Sequence, residues 1–156
     1  MELRTATVDD VPLLFAMLNE SAAEQGYPEE VAVTEDDLRE DGFGATPRFH
    51  VTIAEVHGEP AGIALWFYMY STWVSRLGLY LEDLYVRPEF RGKGVGKLLL
   101  THLANVAVEH GCRRMTWLVH ASNEPAIRLY EKVGARHLSD WQLMSMKNEA
   151  LHRAAR

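Results

Sequence analysis

A single cysteine in 156 residues, Cys112, excludes an intrachain disulfide framework and cannot by itself supply the thiolates of a structural zinc site. Such a chain fits a reducing cytoplasm. No apolar run approaches the ~20 residues that a membrane span needs, and the opening Met1-Glu2-Leu3-Arg4 leads into amphipathic sequence, so neither membrane insertion nor secretion is expected. Ser/Pro-rich linkers, low-complexity tracts and internal repeats are missing as well. Basic residues are in the minority, 16 Lys and Arg against 22 Asp and Glu for a formal charge of -6. That field repels a nucleic-acid backbone and attracts a small cation, so no nucleic-acid partner is expected and any anionic ligand needs a local basic patch. The seven histidines are scattered, and His102 and His110 are too far apart on one helix for an i,i+4 ligand pair; no metal is expected. Apolar material is plentiful: 47% hydrophobic with 24% charged residues is the balance of one globular domain with a continuous core.

Thr7-Val8-Asp9-Asp10 has the form of a reciprocal helix cap, and Val11, Leu14 and Leu18 then recur at helical spacing to about Glu24, with Gly26 and Pro28 as the stop. Thr34-Glu35-Asp36-Asp37 repeats the cap before a short helix closed by Gly42-Phe43-Gly44. Phe49, Val51 and Ile53 alternate as a strand, His57-Gly58-Glu59-Pro60 reads as a turn, and Ala61 to Tyr70 completes a hairpin. Leu77 to Val86 reads as a third strand, broken by Glu82-Asp83 and stopped by Arg87-Pro88. A helix over Lys97 to Glu109, a strand over Arg114 to Val119, a helix over Glu124 to Lys132 capped by Gly134, and a last strand over Trp141 to Met146 follow. Mixed α/β (α+β) architecture results, with a parallel strand pair across the Lys97–Glu109 crossover. The tail, residues 150–156, lacks an apolar stripe and is expected to fray, leaving 1–149 as the domain.

Between a strand and a helix lies Arg91-Gly92-Lys93-Gly94-Val95-Gly96-Lys97. Alternate glycines let backbone N–H groups converge at the positive end of the following helix, a concavity suited to a pyrophosphate, and Arg91, Lys93 and Lys97 add local positive charge. The P-loop spacing fails, because Arg91 stands where its first glycine belongs and Leu98 follows Lys97. The dinucleotide fingerprint fails too, with Lys97 in place of its third glycine.

The run from Glu82 through Leu84-Tyr85-Val86-Arg87-Pro88 to Gly96, followed by Asn123-Glu124-Pro125-Ala126 and Leu129-Tyr130-Glu131-Lys132-Val133-Gly134-Ala135, resembles the GCN5-related N-acetyltransferase (GNAT) superfamily. Within it the chain is similar to the diamine (spermidine/spermine) acetyltransferases, a match that includes Thr34 to Gly44 and Tyr80-Leu81-Glu82-Asp83. The resemblance implies a mostly antiparallel mixed sheet with helices on both faces and acetyl-CoA in a cleft where two parallel strands splay. By resemblance, backbone groups of Leu84, Tyr85 and Val86 lie along the pantetheine arm and residues 91–97 (Arg91, Gly92, Lys93, Gly94, Val95, Gly96, Lys97) hold the pyrophosphate. Asn123, Ala126, Tyr130 and Lys132 then contact the cofactor from the far side. A homodimer, with Trp141 to Met146 at its interface, is implied in the same way.

Amide formation from a thioester needs a neutral amine, yet an alkylamine with a pKa of about 10.4 is almost wholly protonated near pH 7. About 4 kcal/mol must therefore come from a base, from desolvation or from both. Glu82 is the candidate base, acting through an ordered water or relay. Strand alternation puts Asp83 on the opposite face, where it can contact a substrate ammonium. The departing thiolate benefits from a proton donor, and Tyr130 fits that role by resemblance. Cys112 has no convincing His partner and reads as a buried structural thiol.

Trp73 can form a cation–π wall against an alkylammonium, with core packing or a dimer contact as the competing role. Glu24 and Gln25 fall where the diamine acetyltransferases place amine-binding residues, and Asp140 lies near another such position. The chain departs from that pattern, however: no tyrosine adjoins Glu24-Gln25, no acidic residue precedes Trp73, and the segment before Trp141 is shortened. Each departure removes or moves a contact to a long polyamine. A shorter amine, or an amino acid with a side-chain amine such as thialysine, becomes a rival acceptor. A peptide N-terminus, an aminoglycoside, or a regulatory module that binds acetyl-CoA without turnover remain open beside it.

Overall fold

Thr34 opens its helix by the reciprocal cap read from the sequence: its Oγ1 accepts from the Asp37 N–H at 3.2 Å while the Asp37 carboxylate accepts from the Thr34 N–H at 2.8 Å. The computed structural model describes residues 1–73 and 76–155. In chain order these form β1 (Glu2–Thr5), α1 (Val11–Gln25), α2 (Glu35–Phe43), β2 (His50–Val56), β3 (Glu59–Ser71), β4 (Arg76–Val86), α3 (Val95–Glu109), β5 (Met115–Trp117), α4 (Glu124–Lys132) and α5 (Asn148–Ala154). They divide into two compact units, Met1–Asn123 and the residues from Glu124 onward. No helix among the described residues is long and apolar enough to cross a membrane.

The first unit is built on one sheet in the order β1-β2-β3-β4-β5, antiparallel except for the β4–β5 pair. The parallel pair requires the crossover that α3 supplies. On one face, Val11, Leu14, Met17 and Leu18 of α1 and Leu38 of α2 pack on Val51, Ile53, Ile63, Leu65 and Tyr85. Val95, Leu99, Leu100, Leu103 and Ala107 are the buried residues of α3, which packs against β2, β3 and β4 outside that cluster, on the other face. Burying each such Leu contributes roughly 1.5–3 kcal/mol, so apolar spacing alone accounts for which side of each helix turns inward.

Four elements depart from the expectations. β1 has no counterpart among them: it is four residues long without an apolar alternation, and Arg4 fixes it through ion pairs to Glu55 at 2.6 Å and Asp10 at 2.8 Å. β5 spans only Met115–Trp117, and Leu118 beyond it is exposed. Trp141 to Met146 is not a strand; it has no regular structure, and Trp141, Leu143, Met144 and Met146 are exposed. A strand exists only as part of a ladder, and among the described residues this segment pairs with none of the five strands, whatever its apolar content. α5 (Asn148–Ala154), none of whose residues is buried, overlaps the tail of residues 150–156 expected to fray.

Candidate active site

β4 outruns its parallel neighbour. Leu79, Tyr80 and Leu81 pair with Met115, Thr116 and Trp117, and Glu82–Val86 extend beyond that short ladder while β3 continues to pair along the opposite edge. One edge of the backbone at Leu84 and Val86 is therefore turned toward the opening between the two parallel strands. Immediately past β4, a single turn over Pro88–Phe90 leads to the glycine loop, in which Gly92 and Gly94 have φ of +73° and +89°. A Cβ at either would touch no atom within 4 Å, so it is the left-handed backbone, not crowding, that calls for glycine there. Gly94 is the N-cap of the 15-residue α3, whose first turn has no acidic residue and contains Lys97. The loop thus places successive backbone N–H groups at the positive end of a long helix, an arrangement that fits a pyrophosphate.

Glu82 does not follow the alternation of its strand. Leu65 stands opposite Asp83 and Trp66 opposite Leu81, so Glu82 is the extra residue of a β-bulge. Leu81 accordingly shares the α3 face with Trp66, while Asp83 shares the α1 face with Leu65 and Tyr85. The regular alternation read from the sequence is interrupted at this pair by the bulge, and Glu82 acts electrostatically on both Asp83 and Tyr80. Asp83 lines a cavity of about 170 Å³ together with Leu18, Ser21, Ala22, Gln25, Val31 and Val33. Burial first, and the Glu82 charge second, push its carboxyl up to about 6. The cavity unites Asp83 with Gln25, two of the residues expected to meet an amine.

Glu24 lies elsewhere. Its carboxylate accepts from Arg91 Nη2 and from the Tyr85 hydroxyl at 3.1 Å, while Arg91 Nε donates to the Val86 carbonyl at 2.8 Å and its guanidinium sits 5.7 Å from the Tyr85 ring centroid. One turn earlier on α1, Glu20 takes Arg87 in a two-point pair of 2.9 and 3.0 Å, and Arg87 also donates to the Pro60 carbonyl at 3.3 Å. Two Glu–Arg pairs thus clamp the end of α1 to the β4–α3 connection. The sequence carries a signal for this: Glu20 and Glu24 are four apart on one helix face, and Arg87 and Arg91 are four apart beside the glycine loop. The Tyr85 side chain is buried in the α1-side cluster, with its hydroxyl pushed up to about 12 by burial and by Glu24.

Lys93 Nζ lies 5.4 Å from the Phe90 ring centroid. Trp73, in the turn two residues past β3, is 82% exposed. Cys112 is partly exposed rather than buried, and desolvation raises its thiol. Asn123 closes the first unit, its N–H donating to the His120 carbonyl at 2.9 Å. In the second unit, α4 carries Ala126, Tyr130 and Lys132, and Asp140 is exposed in the turn that follows. Tyr130 is half-buried, and burial raises its phenol.

The family model of the acetyltransferase (GNAT) family matches residues 14–135. The chain is 36% identical over 164 residues to a thialysine N-epsilon-acetyltransferase of Sus scrofa, covering 98% of this chain and 96% of the relative. It is 32% identical over 160 residues to the spermidine/spermine N(1)-acetyltransferase-like protein 1 of Homo sapiens, covering 96% of this chain and 23% of that longer protein. An integron cassette protein from the mobile metagenome of V. cholerae shares the fold, with a TM-score of 0.80 at 24% identity over 99% of this chain and 96% of that one. The open β4 edge, the positive-φ glycines at the head of α3 and the extent of these matches have one explanation: the chain belongs to the GNAT family of acetyltransferases.

Proposed function

We propose that the chain moves an acetyl group from acetyl-CoA to a primary amine of a small cationic substrate, in the class of thialysine-like amino acids and diamines. The observation that carries this reading is Asp83: a carboxylate lining a cavity under α1, on the same bulge as Glu82, ready to receive an ammonium. Residues 91–97 hold the diphosphate, and the backbone of Leu84 and Val86 lies along the pantetheine arm, with Asn123, Ala126 and Lys132 completing the contacts. Bound there, acetyl-CoA supplies the activated thioester. Glu82 takes the ammonium proton, through water where needed, so that the nitrogen lone pair can attack the carbonyl carbon. Tyr130 gives its proton to the sulfur as the C–S bond breaks, and the phenolate recovers a proton from the nitrogen, which sheds its second proton to become the neutral amide.

Thialysine or a short diamine is favoured over a long polyamine because the contacts at Glu24, in the loop before Trp73 and before Trp141 depart from the polyamine pattern. Glu24 in particular is engaged with Arg91. A homodimer in a reducing cytoplasm belongs to the same reading, supported by the exposed apolar run Trp141, Leu143, Met144 and Met146. An acetyl-CoA consumption screen across thialysine, lysine, diamines, polyamines and N-terminal peptides tests the substrate. Thialysine or a short diamine should exceed peptides by about 100-fold in kcat/KM, roughly 2.7 kcal/mol of discrimination. Preference for a peptide N-terminus or an aminoglycoside, or CoA binding with no turnover on any amine, would overturn it.

A further inference from the structure

Arg91 opens the glycine loop, yet two of its donors are already committed inside the protein: Nε to the Val86 carbonyl at 2.8 Å and Nη2 to the Glu24 carboxylate. Among the described residues neither Lys93 nor Lys97 makes an ion pair, so Arg91 is the cation of the loop that a protein carboxylate shares. The pair is half-exposed, with 47% and 38% of the two side chains accessible, and an exposed pair of this kind is weak enough to exchange partners. A diphosphate seated on the amides that follow Arg91 offers a guanidinium two anionic oxygens in fork geometry, a better partner than one carboxylate oxygen. Glu24 and the diphosphate therefore draw on one guanidinium.

Losing Arg91 would leave the Glu24 carboxylate with the Tyr85 hydroxyl, and Arg87 cannot replace the lost cation because it is held at two points by Glu20. The uncompensated charge would lie close to the acceptor cavity by two routes. Gln25, the next residue of α1, lines that cavity. Tyr85, whose hydroxyl donates to Glu24, is two residues along β4 from Asp83 on the same face, so the two Cα atoms stand about 7 Å apart at strand rise. A negative charge released there favours a cation in the cavity.

We propose that Glu24 is an internal competitor for Arg91, so that a diphosphate on the glycine loop frees the Glu24 carboxylate and strengthens binding of a cationic acceptor in the Asp83 cavity. The proposal rests on the reading of loop and cavity given above and adds to it a coupling between them. Linkage makes the effect reciprocal, so the acceptor must tighten CoA binding by the same factor. Glu24 is thus a positioning residue acting through Arg91.

Calorimetric titration of CoA, which has no acetyl group to transfer, into the full chain with and without saturating thialysine reads this coupling directly. In the parent, thialysine should tighten CoA binding roughly two- to fivefold, the range set by the worth of a half-exposed ion pair. Glu24→Gln should bind CoA alone roughly two- to fivefold more tightly than the parent, and thialysine should add nothing further. Glu24→Asp, one methylene too short to reach Arg91, carries the same expectation for CoA alone and keeps the test decisive should Glu24→Gln not fold. The proposal is overturned if the parent shows no coupling, if the Glu24 variants bind CoA no more tightly, or if Glu24→Gln keeps the parental coupling. A parent that binds no CoA would overturn the functional reading itself, a result distinct from those three.

Discussion

Glu82 and Asp83 share one β-bulge on β4, and the charge of Glu82 is the second cause, after burial, that raises the Asp83 carboxyl to about 6. The acidic limb of kcat/KM is expected near pH 6, where the Asp83 carboxyl takes up its proton. Glu82→Gln removes a like charge from beside Asp83, so whatever limb remains should slide to lower pH. If Glu82 takes the substrate proton, the same change should lower kcat/KM about 100-fold, most severely above the acidic limb, where the parent is fully active. A pH–rate profile identical to the parent's would remove Glu82 from the proton path.

The Asp83 position should also be one where function costs stability. A carboxyl whose folded pKa lies above its unfolded value of 3.8 favours folding fully only below that unfolded value, and the advantage is lost as pH rises through about 6. At pH 7 the chain folds with a desolvated charge. Asp83→Asn should therefore raise stability at pH 7 to 8 by on the order of 2 kcal/mol, with a gain that shrinks toward pH 4. Denaturant melts at the two pH values check this. The same variant should lose acceptor affinity, and a variant that is destabilised at pH 7 would mean that the raised carboxyl is not desolvated as its surroundings indicate.

What can be read in the residues depends on whether the signal is local. Thr34 with Asp37, the Val11–Leu14–Leu18 spacing and the His57-Gly58 turn each describe contacts within a few residues, and α1, α2 and the β2–β3 hairpin stand where those signals place them. The glycine loop is legible for the same reason, since positive φ at Gly92 and Gly94 is a demand of single residues. The bulge at Glu82 is not, because a register shift exists only in the pairing of β4 with β3, and the acidic pair marks the place without revealing its geometry. Glu24 bound to Arg91 joins residues 67 apart; the matched four-residue spacings of Glu20 and Glu24 and of Arg87 and Arg91 are visible in the sequence, but neither spacing names its distant partner. Trp141 to Met146 misleads in the opposite sense: its apolar character is real, but a ladder needs a second strand.

Gly94 offers a test of the loop that separates backbone from space. At φ +89°, with no atom within 4 Å of the point where a Cβ would stand, an added methyl meets no neighbour, so Gly94→Ala carries only the left-handed penalty of roughly 1–2 kcal/mol. Melting should show a loss of that size, or local reshaping of the loop with weaker CoA binding in calorimetry. Gly94→Asn, which tolerates left-handed backbone, should recover part of both. Equal behaviour of the Ala and Asn variants would indicate that the residue is needed for something other than its backbone conformation.

Tyr130 offers the last test, on the leaving-group side of the reaction. Burial holds its phenol above the ordinary value, so the hydroxyl stays protonated throughout the neutral range and has a proton to give. Tyr130→Phe keeps the ring and removes only the donor. The expected result is a fall in kcat of about 100-fold or more, with CoA affinity by calorimetry changed no more than about threefold, since a proton moved only in the transition state contributes little to ground-state binding. The parental kcat should also fall at alkaline pH as the phenol ionises, and that limb should vanish in the variant. A kcat for Tyr130→Phe equal to the parent's would assign protonation of the thiolate to solvent, whereas a loss confined to CoA affinity would make Tyr130 a binding residue.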